Sequence, residues 1–520
     1  MPAQGWDDYI AQLRHRKTEA RSQGGPEAIA RAHRRGKLTA RERLTLLLDE
    51  DSFHEIGLLA EGSVDTPGKP AQHLPADGVV TGWGTIHGRH VCVVADDGTL
   101  VGGAASLKNI AKRFRLRRLA LEQGSPFIGL YEGSAIRFQD SMQARQMTQV
   151  PAFREVTDCV GRIPQVAAML GACFGRPPID GLYADFTLMV KGSGFVGWSG
   201  PTLVRGGLGE AVDIDRLAGP DMHARTTGFV DRVAANEQEC LAAIRTFLTF
   251  MPQNCWELPP REPATDDPNL LCPELLDIVP TRLRKPYDVA RVIAALVDHG
   301  QTFVYKPDFG QSVMTCLARL DGRVVGIVAS QPDYQAGALD WASAAKVRRF
   351  IAVCDSFHIP LVFLQDQPGF LIGQQAETSN MLYWGGTLID AVERATTPKI
   401  TLILRKAHGA AMWAMGGRGS PYSPDLQIAW PLAIVTGTGP TSAVYTVHSR
   451  ELQEARDPDR LQAELEAKYS RQGSVYEAAA AFGVDDIIEP PETRRYLIQA
   501  LAFLCGKQAR QLGPKARLFP

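Results

Sequence analysis

The stretch TPKITLILRKAHGAAMWAM, residues 397–415, sets the reading of the whole chain. Residues 400–404 form a largely apolar run of strand length, and the basic pair Arg405 and Lys406 follows. The pattern then breaks into His408, Gly409, Ala410 and Ala411, small residues that open a predicted helix. A strand that ends in such a turn leaves backbone N–H groups without partners at the helix start. Two readings stand at this point. Either Gly and Ala only permit close helix–strand packing, or the free donors hold an oxygen that gains negative charge during a reaction.

Working outward, the same pattern recurs 234 residues earlier. Pro126 precedes FIGLYEG as Pro360 precedes LVFLQDQ, and Pro164 precedes QVAAML as Pro398 precedes KITLIL. Gly88 and Gly322, Lys112 and Lys346, and Gly175 and Gly409 keep the same offset. After a short insertion Asp185 corresponds to Asp425, and Gly200-Pro201-Thr202 to Gly439-Pro440-Thr441. A fixed offset across features in the same order indicates two copies of one fold. Strands alternating with helices make that fold α/β. The boundaries expected are an N-terminal domain at 1–260, a linker at 261–279 that continues a Pro- and acid-rich run from 258, and a C-terminal domain at 280–520.

Within the first copy the spacing of Trp6, Ile10 and Leu13 predicts a helix, and Thr39 with Glu42 predicts a capping box at the next. Residues 77–97 read as a hairpin turning at His87-Gly88, with a helix at 107–123 and strands at 126–131 and 165–170. The basic run RAHRRGK, residues 31–37, is either a solvated helix face or a docking surface for a phosphate or a partner.

Composition excludes several classes of function. Lys+Arg is 56 against 57 Asp+Glu, so no excess of positive charge asks for nucleic acid. No apolar run reaches the roughly 18 residues of a membrane span, and the N-terminus has no secretory h-region. Nine cysteines are scattered without a CxxC pair, which predicts no metal site and a reducing, cytoplasmic setting. No GxSxG elbow, HExxH, P-loop or dinucleotide fingerprint occurs. Candidate chemistry therefore lies in the turns after strands. In the first copy these are residues 132–135 and 171–176; in the second they are residues 366–370 and 408–411. Two small-residue turns close together would supply two N–H donors to one oxygen. His408 sits beside the second pair, as an acid–base group or as a packed, hydrogen-bonded histidine. Glu132 and Asp366 occupy equivalent turn positions, where capping is the simpler role.

Long segments are recognisable together. They include GKLTARERLTLLLDEDSFHEIG (36–57), ELLDIVP (274–280), RKPYDVARVI (284–293), GRVVGIVASQP (322–332), QPGFLIG (367–373), PKITLILRKAHGAA (398–411) and FGVDDIIEPPETR (482–494). With these the chain resembles, nearly end to end, the carboxyltransferase (β) subunits of biotin-dependent acyl-CoA carboxylases of the propionyl-CoA carboxylase type. The resemblance implies two tandem crotonase-like domains per chain and a homo-hexamer whose active site joins the N-terminal domain of one subunit to the C-terminal domain of another. It implies acyl-CoA on the N-terminal domain, with Gly175 and Arg176 at the thioester and Ser134, Ala135 and Arg137 binding substrate. It puts carboxybiotin on the C-terminal domain, with Ala410 and Ala411 at the ureido oxygen and Pro368, Gly369, Phe370, His408 and Gly409 around it. Trp413 falls where family members contact the acyl group. Biotin would arrive on a biotin carboxylase/biotin carrier subunit, since this chain carries no MKM biotinylation motif. Where the family has Gly-Gly-His this chain has Gly175-Arg176-Pro177 in the first copy, and Ala135 in the first copy and Ala410 in the second stand where the family has glycine. The resemblance therefore leaves three readings: a carboxyltransferase, a biotin-independent enzyme of acyl-thioester enolates, and a non-catalytic assembly subunit.

Overall fold

The structure is a computed structural model that describes residues 5–64, 72–133, 136–137, 140, 142, 144–150, 153–264, 266–419, 423–507 and 511–515. Its contacts divide the chain into two compact units, residues 1–256 and 257–520.

Each unit is built on a seven-strand path of the same design. In the first the spatial order is His54–Ile56, Val79–Ile86, Arg89–Asp96, Phe127–Tyr131, Gln165–Met169, Phe186–Val190 and Arg232–Ala234. In the second it is Thr302–Tyr305, Val313–Leu320, Arg323–Ser330, Leu361–Gln367, Lys399–His408, Leu426–Ala429 and Asp486–Ile487. In both, the first two pairings are antiparallel and the remaining four parallel. The parallel strands are near-continuous apolar runs because helices cover both faces of such sheets. Every residue of Phe127–Tyr131, Gln165–Met169 and Phe186–Val190 is buried. In the second unit the helix Val289–Leu296 lays Val289, Val292, Ile293 and Leu296 against Val325, Val362, Ile400 and Leu402.

The repeat extends to the hydrogen bonds. Leu361 pairs with Lys399 as Phe127 pairs with Gln165. Lys406–His408 and Ile434–Thr436 form a short parallel pair, and Ala172–Phe174 and Phe195–Gly197 form the corresponding one. The bridge Leu339↔Phe370 repeats Ala105↔Ile136. The two lysines of the repeat do the same work. Lys112 Nζ donates to the carbonyls of Ala76 and Val79, and Lys346 Nζ to those of Lys306 and Phe309. Burial pushes their ammonium groups down, to about 8 and about 7. Each thereby secures the loop before the central hairpin. The helix Leu107–Gln123, the hairpin turn with both His87 and Gly88 at positive φ, and the Thr39–Glu42 capping box form as the sequence predicts. Trp6, Ile10 and Leu13 do lie on one helix, Trp6–Ala20, but remain exposed in this chain. Among the described residues, no helix is long and apolar enough to cross a membrane.

Lys346→Met keeps the stem and removes the donors, leaving two buried carbonyls unpaired at about 1–3 kcal/mol each. Chemical denaturation should show that loss in the second unit.

Candidate functional site

In the second unit the strand Lys399–His408 runs straight to the turn. Gly409 follows with φ 64°, a left-handed conformation suited to glycine, and its N–H donates to the Thr436 carbonyl at 3.0 Å. Ala410 has returned to helical angles, φ −64° and ψ −21°, so the alanine there carries no backbone strain. The short helix Ala411–Ala414 begins next. Among the described residues, the amides of Ala410 and Ala411 meet no acceptor. Two consecutive free N–H groups thus sit at the one point where a strand becomes a helix.

His408 lies two residues before this pair and is 3% exposed. Thr436 Oγ1 donates its only proton to the Thr438 carbonyl at 2.7 Å, so the 2.8 Å contact with His408 requires Nδ1–H to donate. Nε2 is then an acceptor. Burial, aided by the charge of Lys406, pushes the imidazole down to about 4, so it is neutral at pH 7.

Beneath the turn, Asp366 ends the neighbouring strand and is wholly buried with Arg405. Arg405 Nε donates to Asp366 Oδ2 at 2.7 Å, and Tyr287 OH donates to the same oxygen at 3.0 Å. Lys406 Nζ stands 3.5 Å from Oδ1. Arg405 also reaches the carbonyls of Pro280, Arg282 and Lys285 at 3.1, 3.1 and 2.9 Å. One guanidinium therefore ties the strand end at Asp366 to the segment 280–285 of the same unit. After Asp366, Pro368 is exposed, while Gly369, with φ 138°, accepts from Leu339 N at 3.0 Å. The half-buried Phe370 ring packs on Gly385. Trp413, on the helix at the turn, is 41% exposed and lies against Gly419.

The first unit varies this plan. Gly175, at φ 83°, spends its N–H on the Gly197 carbonyl at 3.2 Å, as Gly409 does on Thr436. The helix Arg176–Tyr183 follows, but Pro177 and Pro178 have no N–H, and only the Arg176 amide is left free at its start among the described residues. Gly175 was expected to donate and does not; the strand pairing takes its hydrogen. The Arg176 side chain, open in role from sequence, forms an ion pair with Glu155 and covers the Phe153 ring at 5.2 Å. Arg137, expected to touch substrate, is buried, and its guanidinium is spent on Asp77 at 2.7 Å. Ser134 and Ala135 lie outside the described residues.

Glu132 stands where Asp366 stands in the repeat, but its cations come from elsewhere. Lys37 and Arg43 pair with it at 2.8 and 2.5 Å, and Arg43 continues to Glu237 at 2.7 Å. Burial opposes ionisation of Glu132, and Arg43 and Lys37 outweigh it, holding the carboxyl below its ordinary value. Lys37, from the basic run 31–37, thus has an internal partner. Asp96 accepts the N–H groups of Glu132 and Gly133 at 3.1 and 3.3 Å, tying down the same turn. The sequence reading missed Asp96, Thr436 and the Arg405–Asp366 ion pair with its Tyr287 hydrogen bond.

Two outcomes test this architecture. Arg405→Met should cost the second unit about 3–5 kcal/mol by taking from buried Asp366 its hydrogen-bonded cation and leaving only Lys406 at 3.5 Å, read from unfolding midpoints. Because the folded His408 value is lowered, its neutral form is the one the fold favours. Its contribution is complete above about pH 6.5 and lost as pH falls towards 4. His408→Asn, which keeps a donor for Thr436 but does not titrate, should remove up to about 3 kcal/mol of that acid loss.

Comparison with known proteins places this geometry. The carboxyl transferase domain family matches residues 31–519. Over 506 residues the chain is 37% identical to the propionyl-CoA carboxylase carboxyltransferase subunit of Haloferax mediterranei, covering 97% of this chain and 98% of that one. Over 508 residues it is 35% identical to the methylmalonyl-CoA decarboxylase subunit alpha of Veillonella parvula, covering 98% of each. A crystal structure of transcarboxylase 12S, a hexamer assembly with methylmalonyl-coenzyme A and methylmalonic acid bound, matches with a TM-score of 0.91 at 34% identity. That match covers 100% of this chain and 99% of the other. With the shared family, the full-length identity and the doubled α/β fold in agreement, the chain belongs to the carboxyl transferase domain family, as a carboxyltransferase subunit of the biotin-dependent acyl-CoA carboxylase type built from two tandem crotonase-like domains.

Proposed function

We propose that this chain moves a carboxyl group between carboxybiotin and the α-carbon of an acyl-CoA, using backbone amides in place of a side-chain triad. The observation that carries this reading is the pair of free amides at Ala410 and Ala411, repeated as a single free amide at Arg176 in the first copy. An N–H aimed at an oxygen that becomes negative in the transition state contributes about 2.7–4 kcal/mol. The Arg176 amide would receive the thioester oxygen and favour the enolate at the α-carbon, whose proton would pass to the ureido nitrogen freed as the N–C bond of carboxybiotin breaks, the enolate carbon then bonding to the CO2 released. The amides of Ala410 and Ala411 would hold the ureido oxygen of biotin. A donor pair of this kind fits a urea carbonyl that gains charge, and neutral His408 adds no competing cation. Biotin, brought by a separate carrier subunit, supplies the carboxyl group. We assign acyl-CoA to the N-terminal unit, biotin to the C-terminal unit and a hexamer to the assembly; the 12S relative is itself a hexamer with methylmalonyl-coenzyme A bound.

A second reading has one observation behind it: relatives from Veillonella parvula and Propionigenium modestum are decarboxylase subunits. The same holes would stabilise the same enolate if a carboxylated thioester were the starting material, because the transition state is shared.

The deciding experiment supplies the chain with carboxylated biotin carrier and a panel of acyl-CoAs, omitting each component in turn. Carboxylated thioester that forms only with the carrier supports the proposal. Loss of carboxyl from a malonyl-type thioester without any biotin protein would replace it with biotin-independent chemistry. Ala411→Pro should lower transfer about 10²–10³-fold while the fold persists. Proline at the first helical position is tolerated, and Pro177 already stands at the equivalent place in the first copy.

A further inference from the structure

In the first unit a cavity of about 310 Å³ opens beside the free amide at Arg176. Its walls include Ile110, Ile136, Phe153, Pro177, Ile179 and Trp198. The charged groups along it are already paired. Arg113 is bound to Asp96 and to Asn109, Arg176 to Glu155, and Asp180 to Arg117 at 2.7 Å. Arg176 also covers Phe153. The space is therefore apolar and electrically neutral, a poor site for phosphates or for a second carboxylate. Trp198 lies at this cavity with 78% of its surface exposed. A large aromatic left uncovered beside an apolar hollow marks a binding site rather than a packed core.

We propose that this cavity receives the acyl tail of the CoA thioester, and that the tail is a sizeable nonpolar chain rather than a two- or three-carbon group. The inference rests on the reading that the Arg176 amide holds the thioester oxygen. Gly175 and Arg176 both line the cavity, so a carbonyl at that amide directs what it carries into the hollow. At about 30 Å³ for each water-sized group, the volume accommodates roughly ten of them. A propionyl group would leave most of it empty, whereas an eight-carbon chain fills it. Each buried methylene strengthens binding about fourfold, so the chain length is read strongly. Arg176, held by Glu155 and laid over Phe153, is the wall that sets the limit, which gives a use to a bulky cation at a position where glycine was expected.

The test measures binding of CoA, propionyl-CoA and octanoyl-CoA to the full chain by calorimetry, before any turnover. Octanoyl-CoA is expected to bind at least tenfold more tightly than propionyl-CoA. Ile179→Trp, which fills the cavity from a half-buried position, should erase that preference. Trp198→Ala, at an exposed site that cannot unsettle the core, should reduce it severalfold. Equal affinity of the two thioesters for the unaltered chain overturns the proposal, as does a full preference retained by Trp198→Ala or by folded Ile179→Trp. Carboxylation with the carrier is scored separately. If no thioester is carboxylated, the functional reading falls while the binding preference still decides the cavity. If only propionyl-CoA is carboxylated and binds as tightly as octanoyl-CoA, the reading stands and the cavity assignment falls.

Discussion

The second unit depends on one buried ion pair. Asp366 and Arg405 are both withdrawn from water, and a lone charge in that position would cost several kcal/mol. The pair persists because each partner is saturated from other directions. Tyr287 adds a hydrogen bond to the carboxylate, and three carbonyls between residues 280 and 285 receive the guanidinium. The consequence is mechanical. Two strand ends and the segment 280–285 are fixed to one another, and one of those strands runs on into the free amides after His408. Preorganised donors are what make backbone electrostatics effective in catalysis.

The first unit solves the same problem with different residues. Its acid, Glu132, sits at the repeated position, but the residue equivalent to Arg405 is Gly171. A Cβ added there would come within 2.4 Å of the Glu132 carbonyl oxygen. The cations arrive instead from the N-terminal segment, as Lys37 and Arg43. Arg43 is then anchored to Glu237, on the helix that closes the unit. The segment at 36–43 is thus bound to the site by charge, and this gives the early helix Ala40–Leu47 a structural purpose that its short length alone would not.

The two turns differ where the ligands proposed for them differ. Pro177 removes an N–H that Ala411 retains, so one copy offers a single helix-start donor and the other a pair. In the second unit Ile372, Leu382 and Trp413 are large apolar residues left exposed, as Trp198 is in the first.

Much of this was legible in the amino-acid order. The alternation of strands and helices, the hairpin at His87-Gly88, the helix at 107–123, the capping box at Thr39 and the long repeat all rest on local periodicity and turn chemistry, which neighbouring residues decide. The turn at 408–411 was found for the same reason. The donors themselves were not. Whether an amide is free depends on a carbonyl brought from far along the chain: Gly197 takes the hydrogen of Gly175, and Thr436 that of Gly409. Arg137 and Arg176 have the sequence look of substrate ligands, yet Asp77 and Glu155 claim them across gaps of 60 and 21 residues. The sequence by itself determined two copies of an α/β fold and the places where strands give way to helices. Tertiary structure alone decided which of the groups there remain unpaired, because pairing of buried polar groups is settled by long-range neighbours that no local pattern encodes.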